Sequence, residues 1–521
     1  MFLKESRTEN SIKNVKISTV IYFFSILLQF INRTFFLKFL SINYLGINGL
    51  FSNVLSLLNL TELGIGSAMA FALYEPCSCE NQKLIKQIMY LYKKVYIVLG
   101  IIILIVGIII TPFLDFFIET PPQNIGNYHL YYVLYVINIS ISYFYTYKRS
   151  LIICYQKQYI SSITTFLKNL FICIFQIITL YLTRSYVVYL IVQIIFTFLE
   201  NIFISRIADK MYPFLEEKTT FPPKSIINNI KKNVLAMSFH KIGSVIVTGT
   251  DNLIITKFVS LSATGIYSNY LIIISSINSF LTQIFSSITA SVGNLISEKD
   301  ENKIYSVFKN ILFLNFLLYL ITSGGMFIIF NDFITIWLGE QYTFSLYIVF
   351  FICLNFFSAG MRKTILTFKD ASGLFWNDRY KPIAEGIGNI VLSIPLTIYL
   401  GISGTFIGTI ITNIFIASII EGYVLYKYLF KKDIKKYFFD IFKYYVVYFI
   451  YFLILIIFNN IISFNALLNI FLKGICCILS FVLIILFFVR TEEYKYSKNL
   501  FKEKILKKAI RFVNLYKGVC K

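Results

Sequence analysis

The chain has 521 residues, of which 57% are hydrophobic and only 14% charged, with a formal net charge of +22. A soluble globular chain carries about 25% charged residues, so water is excluded as the solvent for most of this one. A membrane β-barrel is excluded as well, because the apolar runs are about 20 residues long rather than alternating segments of about ten.

The first run begins near Ile17, after Lys4, Arg7, Lys13 and Lys16. It is too long for a signal-peptide core, and no small-residue cleavage site follows it. Hydropathy broken at Lys, Arg, Pro and Asn places about fourteen spans, near residues 17–38, 44–72, 95–118, 128–147, 160–182, 186–207, 234–257, 263–296, 305–331, 343–368, 382–400, 403–428, 439–458 and 466–489. The expected fold class is therefore an all-α integral membrane protein.

With the N-terminus inside, about 41 of the 48 Lys and Arg lie at the cytoplasmic face, three lie near outer loops (Lys38, Arg184, Lys257) and four lie within spans. Both termini are then cytoplasmic. The basic charge is accounted for by topology and anionic lipid, so nucleic acid is not an expected partner. The outer loops, such as Glu119 to Asn127 and Asn331 to Tyr342, are too short to present a catalytic domain. No G-x-x-x-x-G-K-[ST] motif occurs, and none of the eight cysteines forms a C-x-x-C pair, so neither an ATPase, a metal nor another cofactor is expected. The tail from Lys495 to Lys521 interleaves apolar residues with lysines and suits a helix lying on the inner membrane surface.

A shift of about 219 residues aligns the first two spans with the seventh and eighth. Lys13-Asn14-Val15 meets Lys232-Asn233-Val234, and Gly46-Ile47 meets Gly265-Ile266. Asp115-Phe116 meets Asp332-Phe333 at 217, and Glu200 meets Glu421 at 221. Two six-span lobes in the same orientation follow, residues 1–208 and 234–430, joined by a cytoplasmic loop at 209–233 and pseudo-symmetric about a central cavity. Two extra helices (431–489) and a basic tail (490–521) lie outside the repeat.

In the first span Tyr22, Ser25, Gln29 and Asn32 recur at helical spacing, and the shift carries Ser25 to Ser244, Gln29 to Thr248 and Asn32 to Asp251. Tyr22 meets Lys241, while Asn59 meets Asn278 one turn from Glu62. Polar stripes on related helices are best explained by a hydrated space between the halves, with ordinary hydrogen bonding between helices as the alternative. Ionisable groups inside spans are Arg33, Glu62, Lys168, Glu200, Lys241, Asp251 and Glu385. Arg33, Lys168 and Lys241 are candidates to meet an anion; Glu62, Glu200 and Asp251 are candidates for ion coupling. Lys168 with Glu200 is equally readable as a structural pair, and Arg33 as a snorkelling side chain.

Several blocks give these segments a family look: Tyr44-Leu45-Gly46-Ile47-Asn48-Gly49-Leu50-Phe51, Glu62-Leu63-Gly64-Ile65-Gly66-Ser67-Ala68, Leu73-Tyr74-Glu75-Pro76, Thr250-Asp251-Asn252 with Gly265-Ile266-Tyr267-Ser268-Asn269-Tyr270, and Arg379-Tyr380-Lys381-Pro382-Ile383-Ala384-Glu385 with Gly404, Gly408 and Thr409. Together they resemble the polysaccharide-exporter (Wzx-type flippase) family of the multidrug/oligosaccharidyl-lipid/polysaccharide superfamily. The resemblance implies alternating access on undecaprenyl-diphosphate-linked oligosaccharide, such as an O-antigen, capsule or exopolysaccharide unit, in a bacterial cytoplasmic membrane. Membrane lipid, a coupled proton or sodium ion and polysaccharide assembly machinery are the partners it implies. The rivals are a cation-coupled multidrug exporter, a peptidoglycan-precursor flippase and, from another class, a polysaccharide polymerase or glycosyltransferase.

Overall fold

The computed structural model describes residues 7–58, 62, 65–116, 118, 125–374, 377–496 and 498; the side chains of 239–249 fall outside it. Asn59, the first part of the outer loop from Glu119 and nearly all of the basic tail therefore lie outside the described residues. Among those described, the chain is all helix with no strand. In hydrocarbon every backbone N–H and C=O must be satisfied within its own segment, which an apolar run achieves by coiling.

Among the described residues, ten helical stretches are long and apolar enough to cross a membrane, including Gln82–Phe116, Glu301–Leu338 and Lys435–Ile461. The second, fourth, seventh and eighth expected spans are helical too, without meeting that combined measure of length and apolarity. They are α2 (Ile42–Leu58) with α3 (Ile65–Ser78), α5 (Tyr128–Cys154), α8 (Lys224–Phe258) and α9 (Leu261–Ser297). The run expected at 44–72 is thus two helices, with Glu62 between them. Helix starts follow local chemistry: the side chains of Asn81, Asn127, Asp300 and Asn465 accept backbone N–H groups of the first turns that follow them.

The chain gathers into two compact units, Met1–Ile272 and Ile273–Lys521. In the first, α1 (Arg7–Phe39) packs on α6 (Gln158–Thr183), α5 packs on α4 (Gln82–Ile110) and α7 (Tyr186–Met211), and α8 packs on α2 and α3. The repeat is visible here as a reciprocal contact. A Cβ on Gly46 would lie 2.1 Å from the Leu261 carbonyl oxygen, and one on Gly265 would lie 2.6 Å from that of Ile42. Since 42 and 46 become 261 and 265 under the 219-residue shift, each partner repeats the other, as a local two-fold requires. Only glycine allows backbones so close.

In the second unit α10 (Glu301–Leu338) packs on α11 (Leu346–Met361) and α17 (Ala466–Leu486), and α13 (Lys381–Leu400) packs on α14 (Ile402–Thr412). A π-helical turn, Asn413–Ala417, joins α14 to α15 (Ser418–Leu425). The extra helix α17 is tied on by Lys473, which meets Asp332 of α10 at 2.7 Å, and by Asn469, which donates to the same carboxylate at 3.0 Å.

Candidate functional site

Inside the first unit, helices α1, α5, α6 and α7 line a partly open cavity of about 350 Å³ bordered by Asn32, Asn138, Lys168, Ile172, Gln176 and Gln193, among others. A closed ring of hydrogen bonds holds part of its wall. Asn32 Nδ2 donates to Gln176 Oε1 (2.8 Å), Gln176 Nε2 donates to the Tyr189 carbonyl (3.1 Å), and Tyr189 Oη donates to Asn32 Oδ1 (3.3 Å). Buried amides unpaired at this depth would cost several kcal/mol, so the ring fixes the wall in one geometry.

Beside the cavity sits a charge cluster. Glu200 of α7 takes Arg149 of α5 at 2.5 Å and a hydrogen bond from Thr165 at 3.0 Å, while Lys168 stands 3.7 Å away. Lys168 and Glu200 are therefore brought together, with Arg149 holding the stronger contact. A second cavity of about 300 Å³ shares Ile139 and Ser142 with the first and is lined by Glu62, Tyr96 and Tyr143. Tyr96 and Tyr143 donate to the Glu62 carboxylate at 2.7 and 3.2 Å.

The second unit carries a counterpart cluster. Arg362, at the junction of α11 and α12 (Lys363–Ser372), donates to Glu385 at 2.7 Å and to both oxygens of Glu421 at 2.8 and 3.0 Å; it also donates to Asn413 in the π-helical turn. Lys381 meets Glu385 at 2.9 Å and Glu421 at 2.8 Å. Two cations and two carboxylates make a neutral, closed cluster, with Glu421 fully buried. Arg149 and Arg362 are 213 residues apart, as are Lys168 and Lys381, so the clusters occupy matching helices of the repeat.

The remaining sequence-derived residues are dispersed. Arg33 donates to Ser268 (2.6 Å) and Asn269 (3.0 Å), tying α1 to α9. Tyr22, Ser25, Asp251 and Asn278 are half-buried, and Gln29 is exposed. The side chains of Lys241, Ser244 and Thr248 lie outside the described residues, as does Asn59. Arg149, Arg362 and Lys381 are not among the site residues read from sequence. A shift of 213 rather than 219 over the fourth and fifth helices of each half marks all three.

No protein-family model matches the sequence, and no curated protein does. Solved structures match in fold. The lipid II flippase MurJ in an inward closed conformation superposes with a TM-score of 0.61 at 15% identity, over 91% of this chain and 98% of that one. A multidrug resistance MATE family transporter of the MOP superfamily, inward-facing, gives 0.57 at 12% identity, over 79% and 97%. A MATE transporter of Vibrio cholerae gives 0.56 at 11% identity, over 82% and 99%. The chain has the fold of MOP-superfamily transporters.

Proposed function

We propose that this protein is a flippase that moves undecaprenyl-diphosphate-linked oligosaccharide across a bacterial cytoplasmic membrane, with both termini on the cytoplasmic side. The observation that carries the reading is the amide-rich, lysine-bearing cavity of the first unit. A sugar headgroup cannot cross hydrocarbon, and its diphosphate needs compensating charge. Asn32, Gln176 and Gln193 match hydroxyls, and Lys168 with Arg149 supplies the cations. Lys241 and Arg33 are proposed as further cationic contacts.

In this scheme the lobe 1–208, which carries the headgroup site, and the lobe 234–430 rock against each other, and 209–233 links them. Glu62, in its tyrosine-lined cavity, is the favoured coupling group for a proton or sodium ion, ahead of Asp251. Glu200 is already committed to Arg149. The fold match to a flippase that covers 91% of this chain, against 79% and 82% for the two MATE transporters, supports lipid-linked substrate over drug export.

The test is reconstitution in proteoliposomes with three substrates: lipid-linked oligosaccharide, lipid II and a small cationic dye. Translocation of the first alone is expected. Movement of the dye alone would turn the reading to drug export, and movement of lipid II alone would turn it to peptidoglycan precursor.

A further inference from the structure

The two charge clusters match position by position save one. Arg149 answers to Arg362 and Lys168 to Lys381 at a shift of 213, and Glu200 answers to Glu421 at 221. Glu385, however, falls on Ile172. Each cluster holds two cations; the second balances them with two carboxylates and the first has one.

Three observations locate the uncompensated charge. The Lys168 ammonium stands 3.7 Å from Glu200, beyond hydrogen-bond length, whereas Lys381 meets its two carboxylates at 2.9 and 2.8 Å. Arg149 Nε is buried with no acceptor among the described residues, whereas Arg362 Nε donates to Glu421 at 3.0 Å. Ile172 lines the same cavity as Lys168, one helical turn on, where Glu385 stands one turn from Lys381 and binds it. An unbalanced cation inside a membrane helix bundle is expensive and calls for an anion.

We propose that the first unit's cluster is an anion site for a phosphate group, and that Glu385 acts as a built-in anion that closes the equivalent position in the second unit. Phosphate oxygens would accept from Lys168 Nζ and from the cavity amides, with Arg149 held behind by Glu200 as the second positive charge. Ile172 is then the position that decides between an open and a filled site. This rests on the flippase reading for the identity of the natural ligand, but the anion site itself does not.

The test uses full-length purified protein in detergent, with inorganic pyrophosphate as the probe and titration calorimetry as the readout. Wild type should bind one equivalent. Ile172→Glu, which copies the Lys381–Glu385 arrangement, should weaken binding by at least about tenfold, since a carboxylate some 4 Å from Lys168 competes directly for its charge. Ile172→Gln, of the same size and uncharged, should keep affinity within about threefold, and an unchanged thermal midpoint would show that both variants fold. Lys168→Gln should behave as Ile172→Glu does. Equal pyrophosphate affinity in wild type and Ile172→Glu would overturn the inference, as would absence of binding in wild type. A protein that binds pyrophosphate as described yet moves no lipid-linked sugar would keep the anion site and sink only the flippase reading.

Discussion

Replacing Arg362 by Met removes the central cation of the second cluster while keeping a long apolar side chain. The guanidinium makes contacts of 2.7 to 3.0 Å with Glu385 and Glu421 and also holds Asn413. Each charge pair at about 4 Å is worth about 4 kcal/mol at an effective dielectric constant of about 20, and the desolvation already incurred by the carboxylates is not recovered when their partner leaves. Breaking a buried pair from one side typically costs about 3–5 kcal/mol. Lys381 remains to neutralise one carboxylate but not both, so Arg362→Met is expected near that full cost. For a chain of this size this corresponds to a fall in thermal midpoint of about 3–5 °C, read by fluorescence-detected size exclusion after heating. Arg149→Met in the first unit should cost less, because Glu200 keeps Lys168. The double variant Arg362→Met with Glu421→Gln should recover part of the loss by removing the stranded carboxylate. If Arg362→Met melted within about 1 °C of wild type, the cluster would not stabilise the second unit and the electrostatic reasoning would be wrong.

Gly46→Val places a side chain 2.1 Å from the Leu261 carbonyl oxygen and should lower the yield of folded protein; Gly325→Ala, with nothing within 4 Å, should not, and membrane expression compares them. Lys241→Ala should abolish transport and leave folded protein in the membrane, and full activity in vesicles would remove Lys241 from the scheme. Glu493 follows α17, and although burial raises its carboxyl, a 2.8 Å contact from Lys309 holds it below the ordinary carboxylate range. The pair therefore contributes stability above the unfolded value of about 4.3 and loses it on acidification below that. Limited proteolysis near residue 495 should become faster as pH falls through that window, and Lys309→Gln should show the faster cleavage already at neutral pH.

The fold was largely legible because length and apolarity of a run are local properties. The fourteen expected spans all meet helices, and the 219-residue shift reappears as the reciprocal Gly46–Leu261 and Gly265–Ile42 contact. The break near Glu62 was not legible, since the residues of 44–72 read as one apolar run. Lys473 carried no signal of its partner, Asp332, because 141 residues separate them. The site was legible only in part. Lys168, Glu200 and Asn32 stand out as polar groups inside apolar runs, whereas Arg149 lies just past the expected end of its span, where a basic residue reads as a cytoplasmic flank. Its role depends on α5 continuing to Cys154, and helix ends are what periodicity fixes least.

The central claim is that the first unit's cavity is wet and holds the polar headgroup. In a cysteine-free background, Gln193→Cys in proteoliposomes should react with a membrane-impermeant thiol reagent, and lipid-linked oligosaccharide should protect it while a cationic dye does not. A cysteine there that stays unreactive under every condition, or that reacts equally with and without the lipid-linked sugar, would contradict the account.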